Sequence, residues 1–172
     1  MYKTKISLFK SLFKSKDVPY LLTLDQVFKR IKEGKSKHII DNLKDDPSLK
    51  TKLPCIMFSG EFIERKKTGL KEHSGLMVLD FDKVLESDYK RLFDQLKENK
   101  HIISLFRSPS RNGIKGIVHI PKCDAKTHEK YFKEFVKDFS YDYLDLSGCN
   151  VDRVCFESYD PDIYINYEGL VY

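Results

Sequence analysis

Three stretches of this 172-residue chain carry residue types at spacings that could do chemistry. The first is Gly75 to Lys83, GLMVLDFDK, an apolar run that ends in two aspartates separated by one phenylalanine. Side chains alternate faces along a strand, so Asp80 and Asp82 would project to one side and Phe81 to the other. By the rise per residue the two carboxylates stand about 7 Å apart, close enough to hold one divalent cation or to share two. The apolar residues before them predict a buried strand that delivers the pair to its end. By itself, a D-x-D reads first as a solvated strand end or a turn.

The second stretch, Ser108 to Gly116 (SPSRNGIKG), is a loop of small residues. Its backbone N–H groups can approach an anion, the hydroxyls of Ser108 and Ser110 can donate to phosphate oxygens, and Arg111 and Lys115 add positive charge. The G-x-x-x-x-G-K-[ST] spacing is missing, so this is no P-loop, and alone it reads as a basic hairpin loop. The third stretch, Asp145 to Arg153 (DLSGCNVDR), adds another carboxylate and an arginine, with Asp152 as a rival to Asp145. Clustered carboxylates, a phosphate-cradling loop and an arginine are what nucleotidyl transfer requires. Metals lower the pKa of an attacking hydroxyl, and basic groups offset charge on the leaving pyrophosphate. The residues alone reach metal-dependent phosphoryl transfer.

What surrounds these stretches is globular in composition, 41% hydrophobic and 13% aromatic. The length suits one domain over 1–172, divided into a basic N-terminal lobe (1–72) and a catalytic half (73–172) that holds all three stretches. Lys and Arg number 17 against 9 Asp and Glu in the first part, and 14 against 17 in the second. The N-terminal part is therefore the candidate surface for a phosphate backbone, with a solvated lysine-rich face as the plainer reading. No apolar run reaches the roughly 18 residues of a membrane span, and Lys10 and Lys14 interrupt the N-terminal MYKTKISLFKSLFKSK, which does not read as a leader. A soluble, cytoplasmic protein without membrane partners is expected. The four cysteines show no C-x-x-C, and the five histidines are scattered, so buried, reduced thiols are expected rather than a zinc site.

Periodicity sets out the elements. Residues 5–13 fit a strand or a short amphipathic helix. Thr23 and Gln26 form a capping box that opens a helix which Gly34 stops. Ser36 is expected to cap a helix over 37–44, and 53–58 to form a strand. Residues 61–72 read as a basic connector or hairpin. Strands are expected at 75–82, 101–106, 114–120, 154–156 and 163–165, with a helix capped by Ser87 and another over 125–139. The aromatic stripe of the latter (Tyr131, Phe132, Phe135, Phe139) reads as core. Strand, helix, strand, strand, helix, strand predicts an α+β fold: a mostly antiparallel sheet of RRM or ferredoxin flavour with helices packed on it, and a small N-terminal α/β lobe.

In order and spacing the three stretches resemble a known family. LMVLDFD is similar to the first motif of the archaeo-eukaryotic primase (prim-pol) superfamily, SRNGIK to the second, and the span from Asp145 to Arg153 to the third. LPCIMFSGEFIERK, EHSGLMVLDFD, SPSRNGIKGIV and DRVCFESYDPDIYIN resemble most closely the VirE N-terminal type of primase-like domain of bacterial mobile elements and phages, over roughly residues 5–168. The resemblance implies a DNA primase or primase-polymerase acting in a bacterial or phage-infected cytoplasm. Asp80, Asp82 and Asp145 would be its catalytic ligands to Mg²⁺ or Mn²⁺. Ser108, Ser110, Arg111, Lys115 and Arg153 would bind the incoming nucleoside triphosphate. Single-stranded DNA would be the template and a replicative helicase the partner. Lys115 stands where that superfamily usually has histidine, with His119 further along the same strand. A non-catalytic nucleic-acid-binding module is therefore the alternative, and a DNA-nicking initiator a third that lacks its His-x-His pair.

Overall fold

The computed structural model describes residues 5–14 and 16–172; Met1 to Thr4, the start of the N-terminal stretch, and Ser15 lie outside it. The chain runs β1 (Lys5–Phe9), β2 (Tyr20–Thr23), α1 (Leu24–Glu33), α2 (Lys37–Ile40), β3 (Cys55–Met57), β4 (Gly60–Phe62) and β5 (Leu70–His73). It continues through β6 (Leu76–Phe81), α3 (Glu86–Lys97), β7 (Ile102–Arg107), β8 (Ile114–His119), α4 (Ala125–Phe139), β9 (Cys155–Phe156) and β10 (Tyr164–Ile165). Every strand pair is antiparallel. The sheets have the orders β2-β1-β3-β9 and β10-β7-β8-β6, and β4 and β5 form a separate hairpin. The fold is thus the expected α+β type with mostly antiparallel sheets. No helix among the described residues is long and apolar enough to cross a membrane.

β6 explains most of the architecture. All six of its residues are buried, because both faces of the central sheet are covered. Met77, Leu79 and Phe81 pack with Leu92 and Leu96 of α3 and Phe132 and Phe135 of α4. Leu76 and Val78 face the other way, into a cluster with Ile6 and Leu8 of β1, Ile56 of β3 and Val27, Phe28 and Ile31 of α1. Asp80 has the parity of Leu76 and Val78, so its carboxylate is turned toward the N-terminal sheet. Each fully buried leucine or phenylalanine of this kind is worth about 1.5–3 kcal/mol. That burial holds the two sheets face to face with a charged residue between them.

The α3–β7–β8–α4 part follows the ferredoxin pattern, with β8 inserted between β6 and β7. The last strand, β10, lies beside β7. The free edge of β6 is instead lined by residues 143–145. Phe81 bridges Leu144, Asp82 N donates to the Tyr143 carbonyl at 3.1 Å, and Asp145 N donates to the Asp80 carbonyl at 2.8 Å.

Local signals were realised unevenly. The Thr23/Gln26 capping box and the left-handed Gly34 bound α1 as expected, and residues 5–9 are strand. Ser36 does not cap α2, which is a single turn; its hydroxyl donates to Glu157 instead. α3 begins one residue before Ser87, with Leu85 at the cap position and no side-chain cap.

Candidate active site

Asp80 sits opposite Lys115 in the β6–β8 register, and the Lys115 ammonium is ion-paired to Asp80 Oδ2. On the other flank, Arg153 Nη2 reaches Asp80 Oδ2 at 3.2 Å and Asp145 Oδ2 at 2.5 Å, bridging the two carboxylates. Asp80 is 7% exposed. Burying an unpaired carboxylate would cost several kcal/mol, so two cations on one oxygen are what make this position tenable. Burial works against the charge on Arg153, but Asp80 and then Asp145 outweigh it and raise its pKa.

Asp145 is placed by its own backbone. Its N–H is bonded to Asp80, and its Oδ1 accepts from Ser147 N at 2.9 Å and Ser147 Oγ at 2.7 Å. The Ser147 bonds, and then Arg153, hold its pKa below the usual carboxylate value against the opposing effect of burial. Asp82 lies just past β6 and is exposed. Carboxylate oxygens of Asp80, Asp82 and Asp145 all lie within 4.8 Å of one another. Asp152, the sequence rival of Asp145, is not in that group.

This donor set fits a divalent cation. All three ligands are hard oxygens, as Mg²⁺ and Mn²⁺ prefer. Asp80 Oδ1 is buried and has no hydrogen-bond partner among the described residues, which leaves one oxygen of this carboxylate unused by the protein. Ser108 Oγ is likewise buried and unpartnered.

The loop at 108–113 joins β7 to β8 and leans on the end of β6. A Cβ on Gly113 would stand 2.4 Å from the Phe81 carbonyl, so only glycine permits this approach. Ser108 N donates to the Gly113 carbonyl at 2.8 Å and Arg111 N to the Ser108 carbonyl at 3.0 Å, so two amides expected to face an anion are engaged internally. Arg111 takes a left-handed φ of 65°. Its guanidinium lies 5.4 Å from the centroid of the Tyr159 ring, and with Ser110, Lys44 and Lys50 it lines a separate groove. Of the eight expected site residues, the structure brings Asp80, Asp82, Asp145, Lys115 and Arg153 into one cluster, keeps Ser108 buried at the start of the loop, and turns Ser110 and Arg111 outward onto the groove.

Two neighbours had not been expected at the site. Cys155 packs beneath the Asp80–Lys115–Arg153 group, where burial pushes its thiol up to about 12. Ser147 orients Asp145, and the D-x-S spacing of a local side-chain turn was the available signal.

A family profile described as "BT4734-like, N-terminal domain" matches residues 48–165. The chain belongs to the BT4734-like N-terminal domain family. The match takes in all three stretches, from β3 to the end of β10. Among curated proteins no relative matches the chain. Among solved structures, the AEP domain of the cyanophage S-2L primase-polymerase (PrimPol) is similar, with a TM-score of 0.51 at 9% identity over 99% of this chain and 84% of that one. At that identity the likeness is one of fold, so this member of the family has a primase-like fold.

Proposed function

We propose that this chain is a primase-type nucleotidyltransferase that copies single-stranded DNA into short primers from nucleoside triphosphates. The observation that carries the reading is the cluster of Asp80, Asp82 and Asp145 oxygens within 4.8 Å, flanked by Lys115 and Arg153. Asp80, Asp82 and Asp145 would hold Mg²⁺ or Mn²⁺. Bound there, such ions supply Lewis acidity toward the triphosphate and lower the pKa of the primer's 3′-hydroxyl. Ser147 and then Arg153 lower the Asp145 pKa further below the usual carboxylate value, favouring the charged form that a cation would bind. Arg153 and Lys115 are the cations that would offset phosphate charge, Arg153 through a planar fork and Lys115 as a point charge. The unpartnered Ser108 hydroxyl can donate to a phosphate oxygen. Ser110 and Arg111, with Lys44 and Lys50, suit the backbone of the template better than the triphosphate. The VirE-type sequence likeness and a phage or mobile-element setting, with a helicase as partner, belong to this reading.

One observation favours a second reading. The ion pair between Lys115 and Asp80 is 8% and 9% exposed at its two side chains, and it already neutralises a carboxylate that a metal would use. A domain that binds nucleotide or DNA without catalysis could keep that pair permanently.

Binding measurements separate the two. On the enzymatic reading, Mn²⁺ should raise affinity for a nucleoside triphosphate in the wild type, and Asp145→Asn should remove that dependence while Asp152→Asn keeps it. Nucleotide binding indifferent to Mn²⁺ in the wild type would favour the non-catalytic module.

A further inference from the structure

Away from the carboxylates, His73, Cys123 and His128 converge. His73 ends β5, Cys123 lies in the link before α4, and His128 is in the first turn of α4. One ligand atom from each lies within 4.8 Å of the other two. His73 Nε2 is 3.0 Å from His128 Nδ1, and Cys123 Sγ is 3.9 Å from His73 Nε2. Tetrahedral zinc, with bonds of about 2.0–2.1 Å to nitrogen and about 2.3 Å to sulfur, separates neighbouring ligand atoms by roughly 3.3–3.6 Å, and the two distances bracket that range. We propose that His73, Cys123 and His128 form a zinc site that ties the β4–β5 hairpin to the start of α4.

The chemistry of the set supports zinc over the ions suited to the aspartates. One thiolate and two imidazoles select a borderline-soft metal, not Mg²⁺. Nearby carboxylates are occupied elsewhere: Asp124 caps α4 through Thr127 N, Glu72 pairs with Lys122 and Glu129 with Lys67. The fourth position falls to a water on the side of the half-buried Cys123. Without metal, Gly75 N–H donates to His73 Nδ1 at 3.0 Å, which leaves the His73 proton on Nε2, donating to His128 Nδ1. On zinc binding at Nε2 that proton moves to Nδ1, the Gly75 bond is given up, and the Cys123 thiol proton leaves to solvent. One proton is therefore released per ion. Fifty residues separate His73 from Cys123, which is why no zinc spacing shows in the sequence.

The test uses the full chain, stripped by chelation and titrated with Co²⁺ alone as a spectroscopic stand-in. One equivalent should produce a thiolate-to-metal charge-transfer band and the visible absorption of tetrahedral cobalt, both lost when Zn²⁺ displaces it. Cys123→Ser should lose the thiolate band and weaken Zn²⁺ binding by more than about tenfold. Cys149→Ser and Asp80→Asn/Asp82→Asn should keep the band. Circular dichroism and a thermal melt establish that each variant is folded, and His128→Asn provides a second disruption. A wild type without a thiolate band, or a band unchanged in folded Cys123→Ser, overturns the proposal in favour of a purely hydrogen-bonded histidine pair.

Discussion

At the scale of single residues, charge placement decides what the site can do. Lys115 and Arg153 both lean on Asp80 Oδ2, so removing either leaves that buried carboxylate less compensated. Lys115→Ala is expected to destabilise the fold by about 3 kcal/mol, the usual result of unpairing a buried ion, whereas Lys115→Met with Asp80→Asn should recover much of it. Urea unfolding of the three proteins checks this. The His73–His128 pair sets a second expectation for the metal-free protein. Burial, with Lys122 adding for His73 and His73 adding for His128, lowers their pKa values to about 4 and about 3. Unfolded histidines titrate near 6.5, so between there and the folded values the unfolded chain binds more protons. Stability should therefore fall as pH drops from about 6.5 toward 5, by up to roughly 1.4 kcal/mol per unit for each histidine. Denaturant melts at several pH values measure the slope, and His128→Leu should lose about half of it. A flat profile would show that the pair is not kept neutral by burial.

Elements turn these residues into a site. The β6–β8 register sets Asp80 against Lys115, and the 143–145 segment along the other edge of β6 brings Asp145 alongside. Gly113→Ala would drive a methyl into the Phe81 carbonyl, and is expected to cost about 1–3 kcal/mol and to displace the end of β6 that leads into Asp82. Thermal unfolding and Mn²⁺ affinity should both register the change; unaltered values would mean that the loop does not support the site. Much of this was legible beforehand. The run LMVLDF reads as a buried strand and is one, and the aromatic spacing in 125–139 predicts the buried face of α4. The Thr23 capping box likewise predicts the start of α1. What eluded the sequence was set by distant partners. Ser36 forgoes a cap because the fully buried Glu157, already held by Arg30 at 2.6 Å, takes its hydroxyl. Arg111 turns onto Tyr159, and the fourth ferredoxin strand lies beside β7 because the edge of β6 is already lined by 143–145. None of these choices has a local signature.

Over the whole molecule, the groove lined by Lys44, Lys50 and Arg111 shares no residue with the Asp80–Asp82–Asp145 cluster. Three cations, Lys44, Lys50 and Arg111, stand against one carboxylate, Asp41, in its lining. If the template lies there, single-strand affinity should drop steeply with salt, and Lys44→Glu/Lys50→Glu should make the slope shallower by about one to two units without changing Mn²⁺ binding. Fluorescence anisotropy across a salt series reads this, and a slope unchanged by the variant would move the template elsewhere. Primer synthesis at the proposed Asp80–Asp82–Asp145 centre can be followed as incorporation of labelled nucleotides on single-stranded DNA with Mg²⁺ or Mn²⁺, for the wild type beside Asp80→Ala/Asp82→Ala. Metal-dependent product is expected from the wild type and none above background from the variant. Equal product from both, or none from either while DNA binding persists, would contradict the proposal.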